Sequence, residues 1–137
     1  MAMESPELIL KKYWGFDSFR PPQKTVIESV LKGNDTLALM PTGGGKSITF
    51  QVPAMLKEGI CIVVSPLIAL MTDQVNALKN KGINAISLGG SLPYRELERL
   101  LNNALYSGCK FLYLSPERLQ QEIVQNFLKV MNINLLV

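Results

Sequence analysis

The sequence predicts an α/β fold built around a parallel β-sheet. Short apolar runs alternate with longer segments of helical periodicity, which is typical of parallel strands joined by right-handed helical crossovers. One apolar run leads into a glycine-rich turn and then into a helix, an arrangement common in phosphate-binding α/β proteins. With 137 residues, 47% of them hydrophobic, the chain is long enough for one domain with a substantial core.

Five strands are predicted from the apolar runs that lie between turn residues. They cover residues 37–40, 60–64, 84–88, 110–114 and 133–137. Short continuous runs of this kind fit strands that are buried on both faces of a parallel sheet.

Helical periodicity predicts four helices, at residues 47–57, 67–79, 94–106 and 116–130. Two shorter helices precede them. Ser5 is placed to cap the first, and the second opens at Pro22 and closes at Gly33. Pro53 removes a backbone hydrogen bond from the helix at 47–57, so we expect a kink or an early stop there.

The glycine-rich turn at residues 40–47 reads Met-Pro-Thr-Gly-Gly-Gly-Lys-Ser. Glycines allow successive N–H groups to converge on one phosphate, Lys46 is placed to reach the outer phosphates as the catalytic residue, and Ser47 is placed to ligate Mg²⁺. The N-terminus of the following helix adds positive charge. The residues predicted here to bind ATP are Thr42, Gly43, Gly44, Gly45, Lys46 and Ser47.

A plain glycine-rich turn would also explain this composition, but the order of strand, loop and helix favours a phosphate site. The strict phosphate-loop pattern has a glycine where this chain has Met40.

Two Ser-Pro pairs follow apolar strands and begin helical segments, Ser65-Pro66 and Ser115-Pro116. Serine as N-cap and proline as the first helical residue explain both pairs without any function. Because the carboxyl ends of parallel strands lie along one edge of a sheet, both pairs are also expected beside the phosphate loop. There they would offer N–H groups and hydroxyls to the phosphates of a nucleic acid.

Composition narrows the alternatives. The net charge of +3, from 14 basic and 11 acidic residues, permits contact with a polyanion without requiring it. Cys61 and Cys109 lie in or beside apolar strands, and the chain has no histidine, so buried free thiols are expected instead of a disulfide or a zinc site. No apolar segment reaches the length of a membrane span. We expect a cytoplasmic protein, nucleoid-associated in a bacterium or nuclear in a eukaryote, with no membrane partner.

Four motifs occur in the order found in the RecQ family of superfamily 2 DNA helicases, and the resemblance runs from residue 8 to residue 137. Residues 16–23 resemble motif 0, 41–47 motif I, 65–74 motif Ia and 114–119 motif Ib. Methionine at position 40 is usual in this family. Pro22 is a departure, because glycine is commoner there.

The resemblance implies that Gln23 reads the adenine edge while Arg20 and Phe16 enclose the base. A glutamine amide matches the donor and acceptor of adenine, and a guanidinium stacks on an aromatic ring. Taken alone, Gln23 would be an exposed polar residue of a helix and Phe16 a core aromatic. The resemblance also implies that motifs Ia and Ib contact the DNA backbone through Ser65, Pro66, Ser115 and Pro116.

The resemblance implies an adenine-recognition segment at residues 1–33 and a partial RecA-like P-loop NTPase domain at 34–137, a parallel sheet with helices on both faces. The family continues after the last strand into an acidic Asp-Glu-x-His box and then a second RecA-like domain, which the printed sequence does not contain. We therefore expect the N-terminal part of an ATP-dependent 3′-to-5′ DNA helicase, inactive without the rest of that helicase.

The expected ligands are ATP, Mg²⁺ and DNA that is single-stranded or partly duplex. A non-catalytic module that binds nucleotides or nucleic acid is the main alternative. A P-loop kinase or transporter ATPase is a weaker one, because neither requires Gln23 or the Ser-Pro pairs.

Overall fold

The structure is a computed structural model that describes residues 4–41 and 45–137. Its contacts divide the chain into two compact units, which we call the N-terminal unit (residues 1–57) and the C-terminal unit (residues 58–137). The functional division predicted at residue 33 stays a prediction. Among the described residues, no helix combines the length and the apolar character needed to cross a membrane.

The N-terminal unit consists of three helices, α1 (Pro6–Trp14), α2 (Gln23–Leu31) and α3 (Ile48–Leu56). Ser5 caps α1 as predicted, because its hydroxyl accepts a hydrogen bond from the N–H of Leu8 over 3.2 Å. Helix α3 continues through Pro53, so the early stop considered there does not occur. The three helices share one buried cluster, formed by Ile9, Leu10, Ile27 and Val52.

Residues 37–40 do not form the predicted strand. Leu37 and Leu39 are each 85% exposed, although the run is apolar. A strand satisfies its backbone N–H and C=O groups only by pairing with a neighbour, and the described part of the N-terminal unit contains no strand. The prediction was wrong because an apolar run shows that a segment is hydrophobic but does not show that a neighbouring strand is available to pair with it.

The C-terminal unit is a four-stranded parallel sheet with the order β2-β3-β1-β4. Its strands are β1 (Ile60–Val64), β2 (Ala85–Leu88), β3 (Phe111–Leu114) and β4 (Ile133–Leu136). All four match predicted strands to within one residue at each end. The predicted α/β class with a parallel sheet is confirmed.

Helices cover both faces of this sheet. They are α4 (Ile68–Asn80), α5 (Tyr94–Tyr106), α6 (Pro116–Leu119) and α7 (Glu122–Val130). Helix α4 packs on one face, where the hydroxyl of Tyr113 donates to Oε1 of Gln74 over 2.7 Å. Successive strand residues face opposite sides, so the neighbours of Tyr113 face α5 and α7. That side is a cluster of buried residues that includes Ile62, Leu88, Leu97, Leu101, Leu112, Leu114 and Val124.

The helix predicted at residues 116–130 is divided into α6 and α7. Between them Gln121 has an extended backbone, with φ −77° and ψ 131°. In one continuous helix of about 3.6 residues per turn, Arg118 and Val124 would lie about 120° apart around the axis. The break allows both side chains to be buried.

Candidate functional site

Gln23 is the first residue of α2 and is almost completely buried, with 3% of its surface exposed. Its side-chain oxygen accepts a hydrogen bond from the N–H of Arg20 over 2.8 Å, and its own N–H donates to the carbonyl of Arg20 over 2.7 Å. Its side-chain Nε2 donates to the carbonyl of Gly45 over 3.1 Å. These bonds fix the amide and connect motif 0 to the phosphate loop.

Gly45 lies so close to Gln23 and Arg20 that a side chain there would fit only if these two side chains moved. A Cβ atom would stand 2.2 Å from Nε2 of Gln23 and 2.8 Å from a terminal nitrogen of Arg20. Its φ of +74° is also in the left-handed region, which side chains other than glycine rarely adopt. Close approach and backbone conformation therefore both favour glycine at this position.

The exposed fractions of Gln23 and Phe16 are the reverse of what a purely structural role would give each residue. Gln23 is not an exposed helical residue, and Phe16, 55% exposed, is not a core aromatic. Arg20 is also exposed, and it comes to the phosphate loop through its contact with Gly45. The roles of Phe16, Arg20 and Gln23 in binding adenine stay predictions.

Lys46 and Ser47 stand at the beginning of α3. The carbonyl of Lys46 accepts from the N–H of Thr49 over 3.1 Å, and the carbonyl of Ser47 accepts from the N–H of Gln51 over 3.0 Å. Lys46 is exposed and makes no ion pair within residues 4–41 and 45–137. The backbone thus holds both residues at a helix N-terminus, where anions bind. Thr42, Gly43 and Gly44, predicted to bind the same phosphates, lie outside the described residues.

The fit to Mg²⁺ depends on one hydroxyl. Ser47 is half-buried in the first turn of α3, and no group of three Asp, Glu, His or Cys residues suitable for a metal occurs in the described part of the chain. Mg²⁺ keeps several waters and is held in such sites by few protein oxygens together with substrate phosphates. Ser47 fits that role, so a metal here would arrive with the nucleotide.

Ser65 and Ser115 lie next to each other at the carboxyl edge of the sheet. The N–H of Ser65 donates to the carbonyl of Leu114 over 3.0 Å, which places Ser65 beside the end of β3. Both serines are half-buried. The structure therefore brings these two predicted DNA contacts together, while their contact with DNA, and the position of the phosphate loop on the same edge, stay predictions.

The two Ser-Pro pairs are not equivalent. Ser115 stands at the N-cap position of α6 and Pro116 is its first residue, as predicted, but the Ser115 side chain makes no capping hydrogen bond and α6 has only four residues. Helix α4 begins at Ile68 with Leu67 as its N-cap, so the predicted cap at Ser65-Pro66 was wrong. The hydroxyl of Ser65 instead accepts from the N–H of Leu67 over 3.2 Å, closing a local turn before the helix.

Arg118 lies within the segment that resembles motif Ib, but the sequence predicted no role for it. It is 9% exposed. Its Nε donates to the carbonyl of Leu88 over 3.1 Å, and its terminal nitrogens donate to the carbonyl of Gly90 over 2.8 Å and to Oε1 of Gln121 over 3.0 Å. The acceptors on β2 and its loop are about 30 positions earlier in the chain, so no local pattern could have indicated them.

The sequence and the fold match those of known helicases. Residues 20–137 match the family model described as DEAD/DEAH box helicase. This chain belongs to the DEAD/DEAH box helicase family. It is 47% identical over 126 residues to the ATP-dependent DNA helicase RecQ of Synechocystis sp., a match that covers 92% of this chain and 26% of that protein.

Two further comparisons agree with a helicase fold. The chain is 44% identical over 112 residues to the ATP-dependent DNA helicase RecQ of Bacillus subtilis, covering 81% of this chain and 19% of that protein. The crystal structure of the DUF1998 helicase MrfA matches with a TM-score of 0.65 at 19% identity, covering 86% of this chain and 19% of that one, which establishes the fold. The chain thus spans about a quarter or less of the length of the relatives that it matches.

Proposed function

We propose that this chain is the ATP-binding and DNA-contacting part of a RecQ-type DNA helicase, which couples ATP hydrolysis to 3′-to-5′ movement along DNA and to strand separation. The relatives that support it are named ATP-dependent DNA helicases. The observation that carries the proposal is the buried amide of Gln23, hydrogen-bonded to Gly45 of the phosphate loop. It joins the residue proposed to read adenine to the loop proposed to hold the phosphates.

In this proposal Lys46 neutralises the charge of the outer phosphates and Ser47 holds Mg²⁺ together with phosphate oxygens. When bound, Mg²⁺ withdraws charge from the phosphates and favours phosphoryl transfer. Gln23 selects adenine, with Arg20 and Phe16 on either side of the base. The helix N-terminus of α3 contributes its N–H groups and positive pole.

The test of the nucleotide site is a calorimetric titration of the chain with ATP and with GTP in the presence of Mg²⁺. ATP should bind more tightly, because a site built for one base edge leaves its own groups unpaired with the other base, a penalty of about 1 to 3 kcal/mol. Gln23→Ala should abolish the preference, and Lys46→Ala should weaken both nucleotides. Lys32→Ala, which removes an exposed lysine of the same unit, is the matched control. Equal affinity of the unchanged chain for ATP and GTP would contradict the adenine assignment.

Hydrolysis is proposed to need acidic residues from a longer polypeptide. The sequence has no histidine and hence no Asp-Glu-x-His box, and the described residues include no metal-binding acidic cluster. Phosphoryl transfer depends on positioned metal and water. Phosphate release by the chain with single-stranded DNA should therefore equal that of Lys46→Ala, and turnover that is lost in Lys46→Ala would overturn this point.

The lack of an acidic cluster in the described residues also favours a second candidate function. In it, the protein binds nucleotide and DNA but does not hydrolyse ATP, even as part of a longer polypeptide. The longer protein separates the two. A helicase should unwind duplexes that carry a 3′ single-stranded tail and leave those with a 5′ tail intact. Nucleotide binding without unwinding of either substrate would favour the non-catalytic module.

A further inference from the structure

Two grooves in the C-terminal unit meet at the buried guanidinium of Arg118. The smaller, of about 360 Å³, reaches the carboxyl edge of the sheet and includes Ser91 and Ser115. The larger, of about 660 Å³, runs between the beginning of α5 and α7 and includes Tyr94 and Phe127. Arg118 lines both grooves, together with Leu92 and Gln121. Both volumes are in the range of ligand sites, about 300 to 1,000 Å³, and the three shared lining residues make the two grooves neighbours.

The smaller groove has a buried positive charge without a negative partner. Arg118 donates only to two backbone carbonyls and one side-chain amide, and no carboxylate in the described part of the chain forms an ion pair with it. Three of the five guanidinium N–H groups are used in this way. A buried cation of this kind is stabilised by an anion, and the hydroxyls of Ser91 and Ser115 add neutral hydrogen-bonding groups beside it.

Two acidic residues lie in the grooves, and their position weakens their influence. Glu117 lines the smaller groove and Glu122 the larger, and both are exposed. Water and salt screen exposed charges much more than buried ones. The field inside the smaller groove is therefore governed by Arg118, and Glu117 opposes it only in part.

The larger groove has the chemistry of a base-stacking site. Tyr94 is the first residue of α5 and is 64% exposed, so a rigid helix presents its ring to solvent. Phe127 on α7 is half-buried, and Asn126 beside it is exposed. Aromatic rings combined with amide groups are the typical lining where proteins bind bases of a single strand.

We infer that the two grooves together bind one nucleotide of a DNA strand, with its phosphate at Arg118, Ser91 and Ser115 and its base on Tyr94. The inference rests on the proposed function, since it requires that the Ser115 edge contacts DNA. It adds to that function a subsite that holds a base, whereas motif Ib was expected to contact only the backbone. The recognition is independent of sequence, because every base has a face that stacks.

The experiment measures binding of the chain to fluorescent single-stranded DNA by anisotropy at low salt. Tyr94→Ala should weaken binding about 5- to 150-fold, the range for the loss of one stacked base, and Tyr94→Phe should keep most of the affinity. Tyr106→Ala is the matched control, since Tyr106 is exposed at the other end of the same helix. Glu117→Gln should bind more tightly than the unchanged chain.

A second oligonucleotide, with abasic sites in place of bases, separates stacking from other effects. It keeps every phosphate, so the unchanged chain and Tyr94→Ala should bind it equally. Equal loss for Tyr94→Ala and Tyr106→Ala on normal DNA would overturn the base subsite, as would a loss for Tyr94→Ala that persists on abasic DNA. Failure of the unchanged chain to bind any DNA would instead contradict the proposed DNA contact itself, and the subsite with it.

Discussion

The side-chain amide of Gln23 donates a hydrogen bond to the backbone carbonyl of Gly45, 22 positions further along the chain. Gly45 has φ +74° and no space for a Cβ atom on that side. In the proposed function, this one hydrogen bond couples recognition of the base by Gln23 to binding of the phosphates by the loop. A change at either end should be detectable at the other.

Gly45→Ala should both destabilise the chain and weaken ATP binding. The left-handed backbone alone costs about 1 to 2 kcal/mol for a residue with a side chain, and the new methyl group would displace Gln23. Gly33→Ala is the matched control, because Gly33 has φ +84° but no atom within 4 Å of an added Cβ. Denaturant unfolding and nucleotide titration should show a loss of stability in both variants and a loss of affinity only in Gly45→Ala. Unchanged ATP affinity in Gly45→Ala would refute the coupling.

Arg118→Met should lower the free energy of unfolding by about 1 to 3 kcal/mol, since it leaves the buried carbonyl of Leu88 without a donor and removes the part-buried hydrogen bond to Gly90. Arg99→Met is the comparison. Arg99 is paired with Glu96 on the exposed side of α5, and exposed pairs of this kind contribute little to stability. Denaturant melts of both variants provide the measurement. Similar losses in the two would mean that the hydrogen bonds of Arg118 do not hold β2 and α6 together.

The double variant Ser65→Ala/Ser115→Ala should bind single-stranded DNA several-fold more weakly, and the affinity of the unchanged chain should fall steeply as salt rises. Both serines stand at the carboxyl edge of the sheet. Ser107→Ala is the control, because the carbonyl of Ser107 accepts from the side chain of Asn84, just before β2 and hence at the opposite edge. Anisotropy titrations from low to high salt would test this. DNA binding that is insensitive to salt, or equal losses in the two variants, would count against contact at this edge.

The two buried thiols should make the fold less stable at high pH. Burial raises the pKa of Cys61 to about 12 and that of Cys109 to about 11. Both thiols then stay protonated in the folded chain while they ionise in the unfolded chain from about pH 8.5 upwards. The stabilisation is complete below that pH and is lost as pH rises towards the folded values, at about 1.4 kcal/mol per pH unit for each thiol.

Denaturant unfolding of the unchanged chain and of Cys61→Ala between pH 8 and 11 would measure this effect. The variant is less stable at neutral pH, so the comparison is between slopes and not between absolute values. The free energy of unfolding of Cys61→Ala should fall less steeply with pH, because of the two thiols only Cys109 then contributes to the slope. Identical slopes would show that Cys61 ionises equally in both states.

Local patterns predicted the sheet well, because each strand is a short apolar run between turn residues, including β4, whose residues are exposed or half-buried. The run at residues 37–40 has similar composition but no strand beside it in the described part of its unit, and composition does not report pairing. The break between α6 and α7 was missed for a related reason. It depends on burying Arg118 and Val124 together, and the partners of Arg118 lie on a distant strand.

The candidate site was predictable to the extent that its residues form contiguous motifs. The turn at Ser65 was assigned as a helix cap because Ser-Pro fits two local structures equally, and only the start of α4 at Ile68 distinguishes them. The proximity of Gln23 to Gly45 came from resemblance and not from spacing. The groove at Tyr94 left no sequence signal, because a tyrosine at the start of an amphipathic helix is ordinary.

The strand order β2-β3-β1-β4 also determines how this sheet can form. Strand β1 pairs with β3, in the register Cys61 with Phe111, and with β4, in the register Ile60 with Ile133, so every partner of the central strand lies about 50 or more positions away. Bringing such distant segments together costs chain entropy before the hydrogen bonds between the strands can form, and this cost slows folding. Each helix of the N-terminal unit, by contrast, forms its backbone hydrogen bonds within its own segment. During synthesis, β1 should therefore have no strand to pair with until β3 has left the ribosome. In that interval its apolar surface depends on α4 for cover.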